Sequence, residues 1–237
     1  MEIVYRHKWL VNTTRAKEIQ MELAGEVSRV GNVTAPRLIA GVDISVNRWN
    51  ETGTGAVVVL NYPDLEIVEM KVAADRITFP YVPGLLSFRE APLILSAFQE
   101  IKNMPDLVMV DGQGIAHPRR IGLASHLGLW LDIPTIGCAK SRLCGEYKEP
   151  AGERGSRTEL MDNGEVIGAA LRTRAGVNPV YVSIGHMIDL ESAIKWVMAC
   201  CRGYRLPEPT RFAHQAAGGY LKVKEDTAPV SADGGTI

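Results

Sequence analysis

The chain has 237 residues, 46% of them hydrophobic and 22% charged, enough for a sizeable core in one domain. A formal net charge of -1 excludes a globally basic polyanion binder, so any nucleic-acid contact needs a local basic patch, helped by bound cations. Cys138, Cys144, Cys200 and Cys201 form neither a CxxC pair nor a secreted disulfide framework, and no run approaches the roughly 18 apolar residues of a membrane span. The expectation is a reduced, cytoplasmic protein without a membrane partner, and the opening MEIVYRHKWL has no apolar core behind a basic start.

In chain order, Ile19, Leu23 and Val27 lie on one helical face, which predicts a helix over Thr13 to Val30 capped by Thr13 or Thr14. Three β-rich runs follow at 37–46, 54–63 and 65–74, and their short Asn-, Gly- and Pro-containing connections predict an antiparallel meander. After FPYVPGLL, a helix is predicted from Ser87 to Lys102 and a short apolar strand at 107–111. A helix from Arg119 to Leu131, a strand at 135–139, strands near 166–171 and 180–184 and a helix near 191–201 complete the alternation. Pro209 and Thr210 open a final helix. This pattern is an α/β protein: one mixed sheet, a three-stranded antiparallel meander plus parallel strands, with helices on both faces. Residues 1–222 are expected to form a single domain, and the Pro-, Gly- and Ser-rich stretch 223–237 a flexible tail.

Three carboxylates stand out. Asp43 interrupts IAGVDISV, which otherwise reads as a buried strand, so its charge is hydrated, paired or coordinated; alternation facing Asp43 to solvent is an equal reading. Asp111 ends the apolar LVMV and precedes Gly112, where α/β sheets present functional groups and where turn Asp residues are also common. Glu90 follows Ser87 at capping-box spacing, which favours a helix cap. Together, two strand carboxylates and one helix carboxylate can converge on a hard cation.

The turn DGQGIAHPRR begins GxG but has His117 where a dinucleotide fingerprint needs its last glycine, which rejects that cofactor. His117 is a candidate proton or phosphate contact beside the metals, or a cap of the next helix. Lys140, after PTIGCA, suits a point charge that orients water or a phosphate oxygen, and solvation is its ordinary alternative. His214 points towards the site or towards solvent. His7, His126 and His186 are structural. Pro80 and Pro83 restrain Tyr81, which either stacks on a base or packs on the protein's own core.

The ordered set IAGVDISV, YVPGLLSFREAP, VDGQGIAHPRRIGLASHLG, IGCAKSRL, GAALRTRAGVNPVYVSIGHMIDLESA and RLPEPTRFAH resembles the endonuclease V family, the deoxyinosine 3′ endonucleases, from the first helix to about residue 220. The resemblance implies an RNase H-like fold with Asp43 and Asp111 as principal metal ligands and Glu90 joining them. It implies Mg²⁺ as the ion, with Mn²⁺ as a substitute, and catalytic roles for Lys140 and His214. Tyr81 matches the family's strand-separating wedge, and Gly84, Leu86, Gly112, Gly114 and Leu143 match the pocket that receives hypoxanthine. Gln113 departs from relatives that carry His there, so no metal ligand is assigned to it.

The implied reaction is hydrolysis of the second phosphodiester 3′ to deoxyinosine in DNA, leaving 3′-hydroxyl and 5′-phosphate ends. Inosine-containing single strands or RNA are further candidate partners, and a monomer is expected. A non-catalytic nucleic-acid binder has no use for three phosphate-repelling carboxylates. A resolvase- or transposase-like enzyme leaves Tyr81 and the small-residue pocket unexplained.

Overall fold

The computed structural model describes residues 3–47 and 49–221, so the tail expected to be flexible lies outside the described residues. Helix α1 spans Thr13–Ala24 and starts from Asn12, whose side chain accepts the Arg15 backbone N–H at 2.8 Å. The expected caps, Thr13 and Thr14, already lie in its first turn; Asn12 satisfies a donor that the helix start leaves without a partner. Gly25 ends α1 well before Val30, because glycine propagates a helix poorly.

Strands β1 (Leu38–Asn47), β2 (Thr52–Asn61) and β3 (Ile67–Arg76) form the predicted antiparallel meander. β1 also pairs in parallel with β4 (Leu107–Val110), and β4 in parallel with β5 (Thr135–Ala139). Strands β6 (Arg157–Asp162), β7 (Glu165–Leu171) and β8 (Val180–His186) add antiparallel on the β5 side, giving the order β3-β2-β1-β4-β5-β8-β7-β6. The mixed α/β sheet is therefore as expected, and β6 is the element that sequence reading misses. Only Leu160 of β6 is fully buried, so this edge strand has no apolar run to betray it. Its signal is Asn163-Gly164 before β7; both have positive φ, 51° and 80°, as the tight hairpin requires.

Helices α2 (Leu86–Gln99), α3 (Leu123–Leu131), α4 (Leu190–Ala199) and α5 (Glu208–Ala217) cover the two faces together with α1. α3 starts later than the predicted Arg119, because Arg120 takes a left-handed conformation that a helix interior excludes. Strand alternation divides the core. Ile39, Val58, Leu60, Leu107 and Met109 pack with Ile19, Leu23, Trp196 and Ala213 from α1, α4 and α5. Ala40, Val42, Val57, Val59, Val108 and Val110 pack on the other side with Ile94 and Phe98 of α2 and Leu127 and Trp130 of α3. Each such buried Leu, Ile or Phe stabilises the fold by about 1.5–3 kcal/mol relative to exposure.

Gly41 fixes how closely α5 lies on the sheet. A Cβ there would come within 1.8 Å of the Pro209 carbonyl oxygen, so only glycine permits this approach of β1 and α5. The same alternation puts Asp43, two residues after Gly41, on the α5 side.

Candidate active site

Val42 is in register with Val110, and the Asp111 N–H donates to the Val42 carbonyl at 3.2 Å. Parallel pairing thus carries Asp43 and Asp111 to the same end of adjacent strands and to the same face. From α5, His214 meets them: its Nδ1 lies 2.7 Å from Asp43 Oδ2. Donor atoms of Asp43, Asp111 and His214 all fall within 4.8 Å of one another. The solvent-facing reading of Asp43 fails, because the residue is only 9% exposed.

Two buried carboxylates at this separation repel, and the surroundings offset part of that. Lys140 Nζ, just beyond β5, stands 2.5 Å from Asp111 Oδ2. That oxygen is buried without an aligned hydrogen bond, so the contact is ionic and a lone pair stays available. The Ile44 N–H donates to Asp43 Oδ1 at 2.8 Å. Burial, followed by the Asp111 charge, nevertheless raises the Asp43 pKa against the pull of His214, the Ile44 N–H and Lys140. With His214 Nδ1–H donating to Asp43, the Lys140 ammonium, 3.5 Å from the same nitrogen, contributes charge and not a second hydrogen bond.

Glu90 approaches from α2, whose Ala91, Ile94, Leu95 and Phe98 pack on the opposite face, and it stands outside the compact three-residue group. Burial, then Asp43, then Asp111 push its pKa up to about 8. The capping-box reading fails on geometry. α2 already begins at Leu86 with no side-chain cap, and Ser87 Oγ is hydrogen-bonded to His126 Nδ1 at 2.9 Å. His126 in turn meets His7, Nε2 to Nε2, at 2.7 Å, and His186 Nδ1 accepts the Ser28 N–H, so these three histidines are tied into structure.

Beside the carboxylates lies a cavity of about 210 Å³. Tyr81, Gly84, Leu86, Gly112 and Leu143 line it. Tyr81 is 71% exposed, which excludes the core-packed alternative. Gly114, expected in the same wall, is instead a packing position. Its N–H donates to Ser183 Oγ, and a Cβ on it would come within 1.9 Å of the Ile184 carbonyl oxygen.

His117 also corrects the expectation. Its Nδ1 accepts the Arg119 N–H at 3.1 Å, so the proton sits on Nε2, which donates to the Gly84 carbonyl at 2.9 Å. Both nitrogens are engaged in the cavity wall, and burial, followed by the Arg119 charge, lowers the pKa to about 4. Sequence reading missed Gln20 in the same wall. Its signal was a polar side chain beside Ile19 on the apolar stripe of α1.

Two carboxylates and an imidazole, one carboxylate oxygen buried without a hydrogen bond, form a donor set that fits a divalent cation. Placed at adjacent parallel strand ends with a lysine behind them, they define a metal-dependent hydrolase of the endonuclease class. The family model described as Endonuclease V matches residues 21–215. Endonuclease V of Dehalococcoides mccartyi is 54% identical over 211 residues, which cover 89% of this chain and 95% of that relative. The crystal structure of Endonuclease V from Streptomyces avermitilis superposes with a TM-score of 0.85 at 40% identity, covering 89% of this chain and 93% of that one. Endonuclease V of Ciona intestinalis, crystallised with a 23mer DNA containing an inosine followed by a ribo-adenosine, matches at TM-score 0.77 and 26% identity over 88% of this chain and 98% of that one. The chain belongs to the endonuclease V family.

Proposed function

We propose that this protein is a DNA repair endonuclease that recognises deoxyinosine and hydrolyses the second phosphodiester 3′ to it, leaving 3′-hydroxyl and 5′-phosphate ends. One observation carries the reading: Gly112 and Gln113, which line the cavity, follow Asp111 directly, so a single turn joins a base-sized recess to the carboxylates. At about 210 Å³ the recess is smaller than the ~300–1,000 Å³ of drug-sized sites, the scale of one flat base. The inosine-containing DNA bound by the Ciona relative supports the same substrate.

Tyr81, held between Pro80 and Pro83 and exposed, inserts into the stack where the lesion base turns out. Extruding a base costs a few kcal/mol, and less at a damaged or mismatched pair, so the recess selects bases that leave the stack readily. Mg²⁺, with Mn²⁺ as a substitute, would be held by Asp43 and Asp111, with Glu90 joining from outside the compact group on losing its proton and His214 beside them, and would supply water activation and charge neutralisation at the scissile phosphate. Lys140 places its positive charge against Asp111 and towards the phosphate oxygens. His214 fixes the Asp43 carboxylate through Nδ1 and leaves its exposed ring edge towards solvent and the incoming strand. His117 orders the pocket wall and carries no proton to the substrate.

The test maps products from matched strands carrying inosine or adenosine at one position. A single nick at the second 3′ phosphodiester of the inosine strand is expected, with the adenosine strand intact. Equal cutting of both strands would remove the lesion-specific reading.

A further inference from the structure

The oxygen of Gly84 receives three donors at once. Gln20 Nε2 reaches it at 3.1 Å, His117 Nε2 at 2.9 Å and Arg119 Nη2 at 2.6 Å. The donors brace one another: Arg119 Nε donates to Gln20 Oε1 at 2.6 Å, and the Arg119 N–H donates to His117 Nδ1. Gln20 Nε2 also reaches the Ile121 carbonyl at 3.3 Å. A backbone oxygen has two lone pairs, so three donors saturate this acceptor and fix the orientation of its peptide.

Gly84 itself sits at φ 77°, where glycine is free to go and a side chain is strained. Its carbonyl therefore has a conformational choice that the clamp removes. The loop so held runs through Tyr81 to Leu86, and Gln20, Gly84 and His117 all line the cavity. Gln20 is 1% exposed and α1 is packed into the core, so the clamp ties the loop to the rigid body of the protein.

We propose that Gln20 is a positioning residue for lesion capture: with Arg119 and His117 it presets the Tyr81–Leu86 loop in the conformation that receives the extruded base. The inference rests on the inosine-strand reading above. Preorganisation of this kind acts on binding, since a loop ordered in advance loses less freedom when the ligand arrives. The carboxylates do not line the cavity, and chemistry there is left alone.

The informative variant is Gln20→Glu. It keeps an acceptor for Arg119, now as an ion pair, and replaces the donor to Gly84 with a carboxylate oxygen that repels the carbonyl. Steady-state nicking of an inosine-containing DNA strand in Mg²⁺ should show KM raised by about tenfold, the value of one hydrogen bond, with kcat within about twofold of wild type. Arg119→Lys, which keeps the charge and loses the two-pronged contact, should move KM in the same direction, and covers the case in which Gln20→Glu does not fold. Unchanged KM in the folded variants overturns the proposal. So does a fall in kcat at constant KM, the mark of a smaller folded fraction. If wild type itself does not nick the inosine strand, the underlying reading fails instead, so the two failures are distinct.

Discussion

At the residue scale, burial decides what each ionisable group can do. Asp43 and Asp111 are forced together by strand register, and a carboxylate pair held this close has little structural value without a cation. Asp43→Ala should therefore abolish nicking, by about 10³-fold or more, while inosine-strand binding measured by anisotropy is largely kept. Tyr81→Ala should show the reverse balance, with weakened engagement of the lesion and a competent metal site. Full metal-dependent nicking by Asp43→Ala would sink the assignment. His117 supplies a pH test. Its folded pKa of about 4 lies below the ordinary 6.5, so the unfolded chain takes the proton more readily. The stability linked to neutral His117 is complete above about pH 6.5 and is lost as pH falls from there towards 4. Glu90, raised to about 8, has the opposite sign, its contribution being lost as pH rises from 4.5 towards 8. The difference between wild type and His117→Gln in urea denaturation isolates the first effect. Wild type should lose about 1–3 kcal/mol more than the variant between pH 7 and pH 4.5. Equal losses would place the proton elsewhere. Residue spacing alone could not reveal Glu90, because Ser87 and Glu90 match a cap that the fold does not form; Ser87 is drawn away by His126 on α3.

At the scale of elements, the meander was legible because short connections leave few alternatives to antiparallel pairing, and parallel strands were legible because helices alternate with the later apolar runs. Helix ends were less so: Asn12 caps α1 in place of Thr13 or Thr14, and Arg120 delays α3. β6 escaped because an edge strand buries one side chain where a central strand buries nearly all. The contact between β1 and α5 was invisible in the sequence, since a glycine in a strand does not announce what lies over it. Gly41→Ala tests that contact. The added methyl would press on Pro209, so α5 must shift, at a cost of about 1–3 kcal/mol in stability. Because His214 rides on α5, nicking should fall by more than the folded fraction accounts for. Activity that simply follows the folded fraction would show that the position of His214 is immaterial.

On the scale of the whole molecule, a net charge of -1 and a site built from carboxylates are poor assets for holding a polyanion, so a cation is needed to bring the strand to the site. Among the described residues no helix is long and apolar enough to cross a membrane. The sheet brings Asp43 and Asp111 to one end, Lys140 follows the neighbouring strand, and the recess under Tyr81 opens from the same turn. Ordered motifs made the family and these residues legible; the His117 and Gly114 contacts depend on β8 and the 84–86 loop, far away in sequence. The most direct measurement is nicking of one end-labelled inosine-containing DNA strand by the purified protein with Mg²⁺ and, in parallel, with EDTA. A single cut at the second phosphodiester 3′ to inosine is expected with Mg²⁺ and none with EDTA; a cut that survives EDTA would contradict a metal-dependent mechanism.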